Sequence, residues 1–146
     1  MRVSASCWLK ANVERMPDGS LVLACCVTNA GFTDLSCCRL DERCCGSGAP
    51  AAAGGIPGAS AAIRLRVRRR RGDYSVEWAP PNPNPSPPSP PSFTRFRLCR
   101  LHEDDGGDEI VSSLRVGVYA SAPVAAGFEA LFRSFEVGPP ESGPLL

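Results

Sequence analysis

No apolar run in this 146-residue sequence approaches the roughly 20 residues needed to cross a bilayer as a helix. The opening stretch Met1-Arg2-Val3-Ser4-Ala5-Ser6-Cys7 has no apolar h-region of the kind that defines a secretory signal. The expected location is therefore cytoplasmic. Net charge is almost nil at +1, which removes any general reason to expect nucleic acid or a membrane surface as partner. One histidine, His102, has no serine or cysteine partner at a recognisable triad spacing and reads as a surface residue at a strand end. Helical periodicity is missing too, since no segment longer than a turn or two repeats every 3.6 residues.

Alternation at period 2 is abundant. Trp8–Glu14, Ser20–Val27, Thr33–Leu40, Ile63–Arg70, Tyr74–Ala79 and Phe93–Leu101 each read as strands. Asp18-Gly19, Thr28-Asn29-Ala30-Gly31 and Gly72-Asp73 supply turns between them. Two final runs, Leu114–Pro123 and Gly127–Val137, alternate with apolar residues on both faces. That pattern suits strands inside a two-layer sandwich. The expectation is an all-β sandwich of about eight strands. Within Ile63–Arg70, Ile63, Leu65 and Val67 are expected to face the core and the intervening arginines solvent. Within Phe93–Leu101, Phe93, Arg95 and Arg97 are set against Thr94, Phe96 and Leu98.

Proline and glycine together make up about a fifth of the chain and are clustered. The Gly/Ala-rich stretch 46–62 and the Pro-rich stretch 80–92 cannot bury enough surface to offset ordering entropy, so both are expected to be disordered loops. One domain spanning 8–137 is expected, with a disordered tail at 138–146. Its folded part is roughly 110 residues, enough for a modest core.

The segments Trp8-Leu9-Lys10-Ala11, Asp18-Gly19, Val27-Thr28-Asn29, Phe32-Thr33-Asp34-Leu35-Ser36, Leu65-Arg66-Val67, Arg71-Gly72-Asp73-Tyr74, Val116–Ser121, Gly127-Phe128 and Phe132–Val137 occur in that order. Taken together they resemble the concanavalin A-like β-sandwich family that includes the yeast regulator of enolase. The resemblance covers about Trp8–Val137 apart from the two loops. It implies a jelly-roll sandwich with no established enzymatic activity, in a fold that often binds carbohydrate. Members of that family carry further strands before the Trp-x-Lys segment. With only seven residues ahead of Trp8, the resemblance implies an N-terminally truncated product or an incomplete sandwich with open edges.

Eight cysteines include the adjacent pairs Cys25-Cys26, Cys37-Cys38 and Cys44-Cys45, with Cys7 and Cys99 standing alone. There is no Cys-x-x-Cys knuckle of the zinc type. Neighbours on a strand point to opposite faces, so each pair can give at most one ligand to a common site. Neither a metal nor any other cofactor is expected, and the thiols are expected to be reduced. Six arginines crowd into Arg64–Arg71, read chiefly as the solvated face of a strand. An anionic partner is the less favoured reading. Glu103-x-Asp105-x-x-Asp108 superficially resembles the carboxylates of β-sandwich glycoside hydrolases, but the three do not share a strand face. The leading functional expectation is a non-catalytic protein that binds a carbohydrate or a protein, with Trp8, Lys10, Tyr74 and Trp78 as candidate ligand-binding residues. A hydrolase using the acidic loop, and a polyproline-mediated interaction through 80–92, are the alternatives.

Overall fold

A computed structural model describes residues 1–18, 20–40, 62–70, 72–81, 92–102, 114–122 and 129–139. Six strands, β1 (Trp8–Arg15), β2 (Leu21–Asn29), β3 (Phe32–Leu40), β4 (Arg64–Arg70), β5 (Asp73–Ala79) and β6 (Thr94–Arg100), fall where the alternation places them. They form two antiparallel sheets of order β1-β2-β3 and β4-β5-β6, with no helix among the described residues. The chain is an all-β, incomplete sandwich.

Period 2 decides which side chains meet between the layers. Leu9 from β1, Cys25 and Val27 from β2, and Tyr74 and Val76 from β5 form one buried cluster, closed by Cys7 and Leu101. Leu23 and Leu40 form a second, packed against Val13, Ile63 and Trp78. Phe96 touches both clusters. Each large aliphatic or aromatic side chain buried in this way contributes roughly 1.5–3 kcal/mol. On β4, Val67 packs on the first cluster and the preceding Ile63 on the second, as expected, whereas Leu65 of the same set is 39 % exposed and joins neither. The cysteine pairs are split across faces as expected: Cys25 is buried and Cys26 half-buried, while Cys37 is exposed and Cys38 half-buried. Cys44 and Cys45 lie outside the described residues, as do nearly all of the stretches 46–62 and 80–92, the acidic run 103–109 and most of the tail 138–146.

Two expectations need correcting. Leu114–Pro123 and Gly127–Val137 are not strands wherever they are described. Their one ladder contact is an isolated bridge between Arg115 and Arg2, made by reciprocal backbone hydrogen bonds of 2.8 Å. Val116, Val118, Tyr119, Leu131, Phe132, Phe135 and Val137 are between 41 % and 74 % exposed. Alternation specifies the faces that a strand would present, but a strand also needs a neighbouring edge to pair with. Here the neighbour is Arg2, in an arm that folds back onto β1 through Met1–Leu9 and Val3–Cys7 hydrogen bonds, and it offers only a single residue of ladder.

The second correction concerns β6. Val76 pairs with Arg97 but Glu77 pairs with Arg95, so Phe96 is an extra residue in a β-bulge. Arg95 keeps the outward face, whereas Arg97 turns inward with Phe96. Strict alternation cannot anticipate this.

The β2–β3 connection has two central residues, Ala30 and Gly31, both at positive φ (50° and 83°). That is the signature of a type I′ hairpin, whose twist matches the flanking strands. Gly31 occupies its position without strain, but Ala30 does not. Replacing Ala30 with Asn, which tolerates this region, is expected to stabilise the fold by about 0.5–1 kcal/mol, read as a higher urea midpoint with unchanged m-value. Burial pushes the Cys25 thiol up to about 12 and the Cys99 thiol up to about 11, so both stay protonated and unreactive at neutral pH. Limited alkylation of the native protein followed by peptide mapping is expected to label exposed Cys37 well before Cys25 and Cys99.

Candidate functional site

The β2–β3 turn lies against the end of β6, and a cleft of about 500 Å³ opens between them. Asn29, Ala30, Phe32, Asp34, Arg97 and His102 line it. Asn29 builds the cleft. Its Oδ1 accepts the His102 backbone N–H at 2.8 Å and the Cys7 thiol at 3.4 Å, and its Nδ2 donates to the Arg100 carbonyl at 2.9 Å. One side chain thus ties the hairpin turn to the N-terminal arm and to the end of β6.

Opposite Asn29, Arg97 reaches across the sandwich. Its Nη1 donates to the Cys25 carbonyl at 3.2 Å and to Ser36 Oγ at 2.6 Å, and its Nη2 pairs with the Asp34 carboxylate. The guanidinium is only 11 % exposed, whereas the Asp34 side chain is 78 % exposed. Arg97 therefore holds an open carboxylate at the rim in a fixed orientation. Next to it Phe32 projects almost entirely into solvent, 84 % exposed, and His102 is exposed at the far wall. An aromatic face, an oriented carboxylate and an imidazole thus meet around one cavity.

The four residues picked out in the sequence do not converge. Tyr74 is fully buried in the first cluster and Trp78 packs on the second, because both occupy core-facing positions of β5. Trp8 and Lys10 share the opposite, outward face of β1. There Lys10 Nζ stands 5.4 Å from the centre of the Tyr119 ring, and its hydrogen bond to Tyr119 raises the Lys10 pKa. A single aromatic platform of Trp8, Tyr74 and Trp78 is not assembled. Phe32 and Asp34 stand within the Phe32–Ser36 segment that carries the family resemblance, but nothing in their pattern marks them as cleft residues.

The outward face of the second sheet carries a different arrangement. Glu77, only 3 % exposed, takes Arg66 through Nε at 2.8 Å and Nη2 at 2.6 Å on one carboxylate oxygen. Its other oxygen accepts Arg68 Nε at 3.0 Å and Nη2 at 2.7 Å, and Ser75 Oγ at 2.9 Å. Phe93 stacks on this group, its ring centre 4.1 Å from the Arg66 guanidinium and 5.6 Å from that of Arg64. Among the described residues no group of three His, Cys, Asp or Glu is placed to hold a metal, and no helix is long and apolar enough to cross a membrane.

Burial pushes the Glu77 pKa up, but the hydrogen bonds from Arg66, Arg68 and Ser75 outweigh it and hold the carboxyl below its ordinary 4.5. Between the lowered folded value and the ordinary unfolded one, the unfolded chain binds more protons. The stabilisation is therefore complete above about pH 4.5 and is lost as pH falls through the folded pKa. Glu77→Gln is expected to cost about 2–3 kcal/mol at pH 7, because two half-buried guanidiniums lose their counter-charge. In urea titrations at pH 7 and pH 3, the gap between wild type and the variant should narrow at the lower pH.

A family model described as "Protein of unknown function (DUF1349)" matches residues 1–140. No curated protein and no solved structure matches the chain. Since that match takes in all six strands and both surfaces just described, the chain belongs to the DUF1349 family.

Proposed function

We propose that this chain is a non-catalytic binding module of the concanavalin A-like type, acting by holding a carbohydrate in the cleft between the β2–β3 turn and β6. The exposed Phe32 ring beside the Arg97-oriented Asp34 carboxylate carries this reading. Sugar recognition calls for an aromatic surface against the apolar C–H face of a pyranose, with rigid polar groups for its hydroxyls, and both are present at this rim. A volume of about 500 Å³ accommodates one or two sugar rings. Strain at Ala30, which lines the same cleft, fits a turn shaped for a ligand rather than for stability alone.

The non-catalytic part of the proposal rests on how the described carboxylates are engaged. Glu77 is locked as an anion between two arginines and Asp34 is paired with Arg97. With its pKa held below the ordinary value by Arg66, Arg68 and Ser75, Glu77 is not poised to take a proton at neutral pH. A soluble, cytoplasmic and regulatory setting is the context in which such a module works, with a glycan or a glycosylated protein as partner.

Glycan-array screening followed by calorimetry tests the assignment. Phe32→Ala and Asp34→Asn are each expected to weaken glycan binding about tenfold, whereas Trp8→Ala leaves it unchanged. Binding that survives both cleft variants, or no binding across the array, rejects the cleft. Polysaccharide turnover that disappears in Glu103→Gln would replace the module with a hydrolase.

A further inference from the structure

The run Glu129-Ala130-Leu131-Phe132-Arg133-Ser134-Phe135-Glu136-Val137 is patterned as a strand but does not form one. Every residue in it is exposed, Leu131 to 74 % and Val137 to 72 %. Among the described residues its backbone joins no ladder. Such a segment lacks only a neighbouring backbone, which would pair its N–H and C=O groups and set side chains against it on both faces.

The placement of charge selects the neighbour. When two copies of one segment pair antiparallel about a two-fold axis, residues equally spaced on either side of the axial residue lie opposite one another. Glu129 and Arg133 are equally spaced about Leu131 and share its face. With Leu131 on the axis, Glu129 of each copy stands opposite Arg133 of the other, and these two ion pairs flank a Leu131–Leu131 contact. On the reverse face, Phe132 of each copy lies opposite Ala130 of the other. Shifted registers lose this match. Phe132 on the axis sets Leu131 against Arg133 and Glu129 against Phe135, while Arg133 on the axis sets two like charges together. Glu136 and Arg133 differ by an odd number of positions, so they cannot oppose each other in any arrangement of this symmetry. The other exposed run, Leu114–Ala122, carries only one charge, Arg115, and has no register of this kind.

We infer that this run is a homodimer interface, in which two copies of the chain pair antiparallel through 129–137 with Leu131 on the two-fold axis. Two-stranded ribbons are marginal on their own, and one this short falls below the roughly 1,200 Å² of a standard interface. The association is therefore weak and reversible, with a dissociation constant on the order of 100 μM. It uses none of the cleft residues and does not depend on the cleft holding a sugar.

Sedimentation equilibrium of the full, reduced chain from about 10 μM to about 1 mM tests the pairing. A monomer–dimer equilibrium is expected. Glu129→Arg and Arg133→Glu each set like charges opposite one another twice, and each is expected to weaken the dimer about tenfold with an unchanged thermal midpoint. An equimolar mixture of those two variants, or the double variant Glu129→Arg/Arg133→Glu, restores opposite charges at both places and is expected to recover wild-type association. Phe32→Ala should leave the dimer intact, which separates this surface from the cleft. A chain that stays monomeric throughout, or one that builds species larger than a dimer, overturns the inference. So do single variants that associate like wild type, or a mixture of them that associates no better than either alone.

Discussion

One guanidinium, that of Arg97, fixes how the two layers of this protein face each other. It leaves β6 in one sheet and ends among Cys25, Ser36 and Asp34 in the other. Taking a cation out of water costs several kcal/mol, and only good hydrogen-bonding geometry offsets that cost. Here a backbone carbonyl, a hydroxyl and a carboxylate do so together. Because those acceptors sit at fixed points of β2 and β3, the contact is satisfied in one relative placement of the sheets. Apolar clusters supply most of the driving force but are tolerant of small slides. The directional contact is not.

The Phe96 bulge is the device that makes this possible. Without the additional residue, Arg97 would point to the same outward side as Arg95, and a charged side chain would not enter the sandwich at all. With it, Phe96 fills the gap between the two apolar clusters while Arg97 crosses beside it. The cleft follows directly, since its carboxylate is oriented by Arg97 and its opposite wall is tied down by Asn29. A register irregularity in one strand thus propagates to the geometry of a cleft lined by the other sheet.

Much of the fold was legible because period 2 and turn chemistry are local. All six strands were marked by alternation, and the Asn29-Ala30-Gly31 turn by its residue types. The inward Arg97 was illegible because a bulge depends on pairing across β5, which no window of β6 contains. Leu114–Pro123 and Gly127–Val137 were misread for the converse reason: their patterning is strand-like, but ladder formation is decided by whether a partner edge exists. The aromatic candidates failed on sidedness. Tyr74 and Trp78 read equally well as platform or core, and only the Leu9–Tyr74 side of the sandwich, once formed, decides between them. Phe32 and Asp34 gain their significance from β6, some sixty residues further along, so no local pattern could identify them.

The arginines of β4 answer two physical demands at once. β4 ends its sheet, and an unpaired edge invites association with other strands unless charge or geometry discourages it. Repeated arginines meet that demand wherever their side chains happen to point, because self-repulsion needs charge and not orientation. Glu77 adds something that edge protection does not require. Burying a carboxylate and spending both its oxygens on Arg66 and Arg68 removes one unit of the repulsive charge while making the remaining guanidiniums rigid. Replacing it with an apolar residue would restore that repulsion and leave Arg66, Arg68 and Ser75 without their shared acceptor, so the acid is what lets so many cations stand side by side on one sheet.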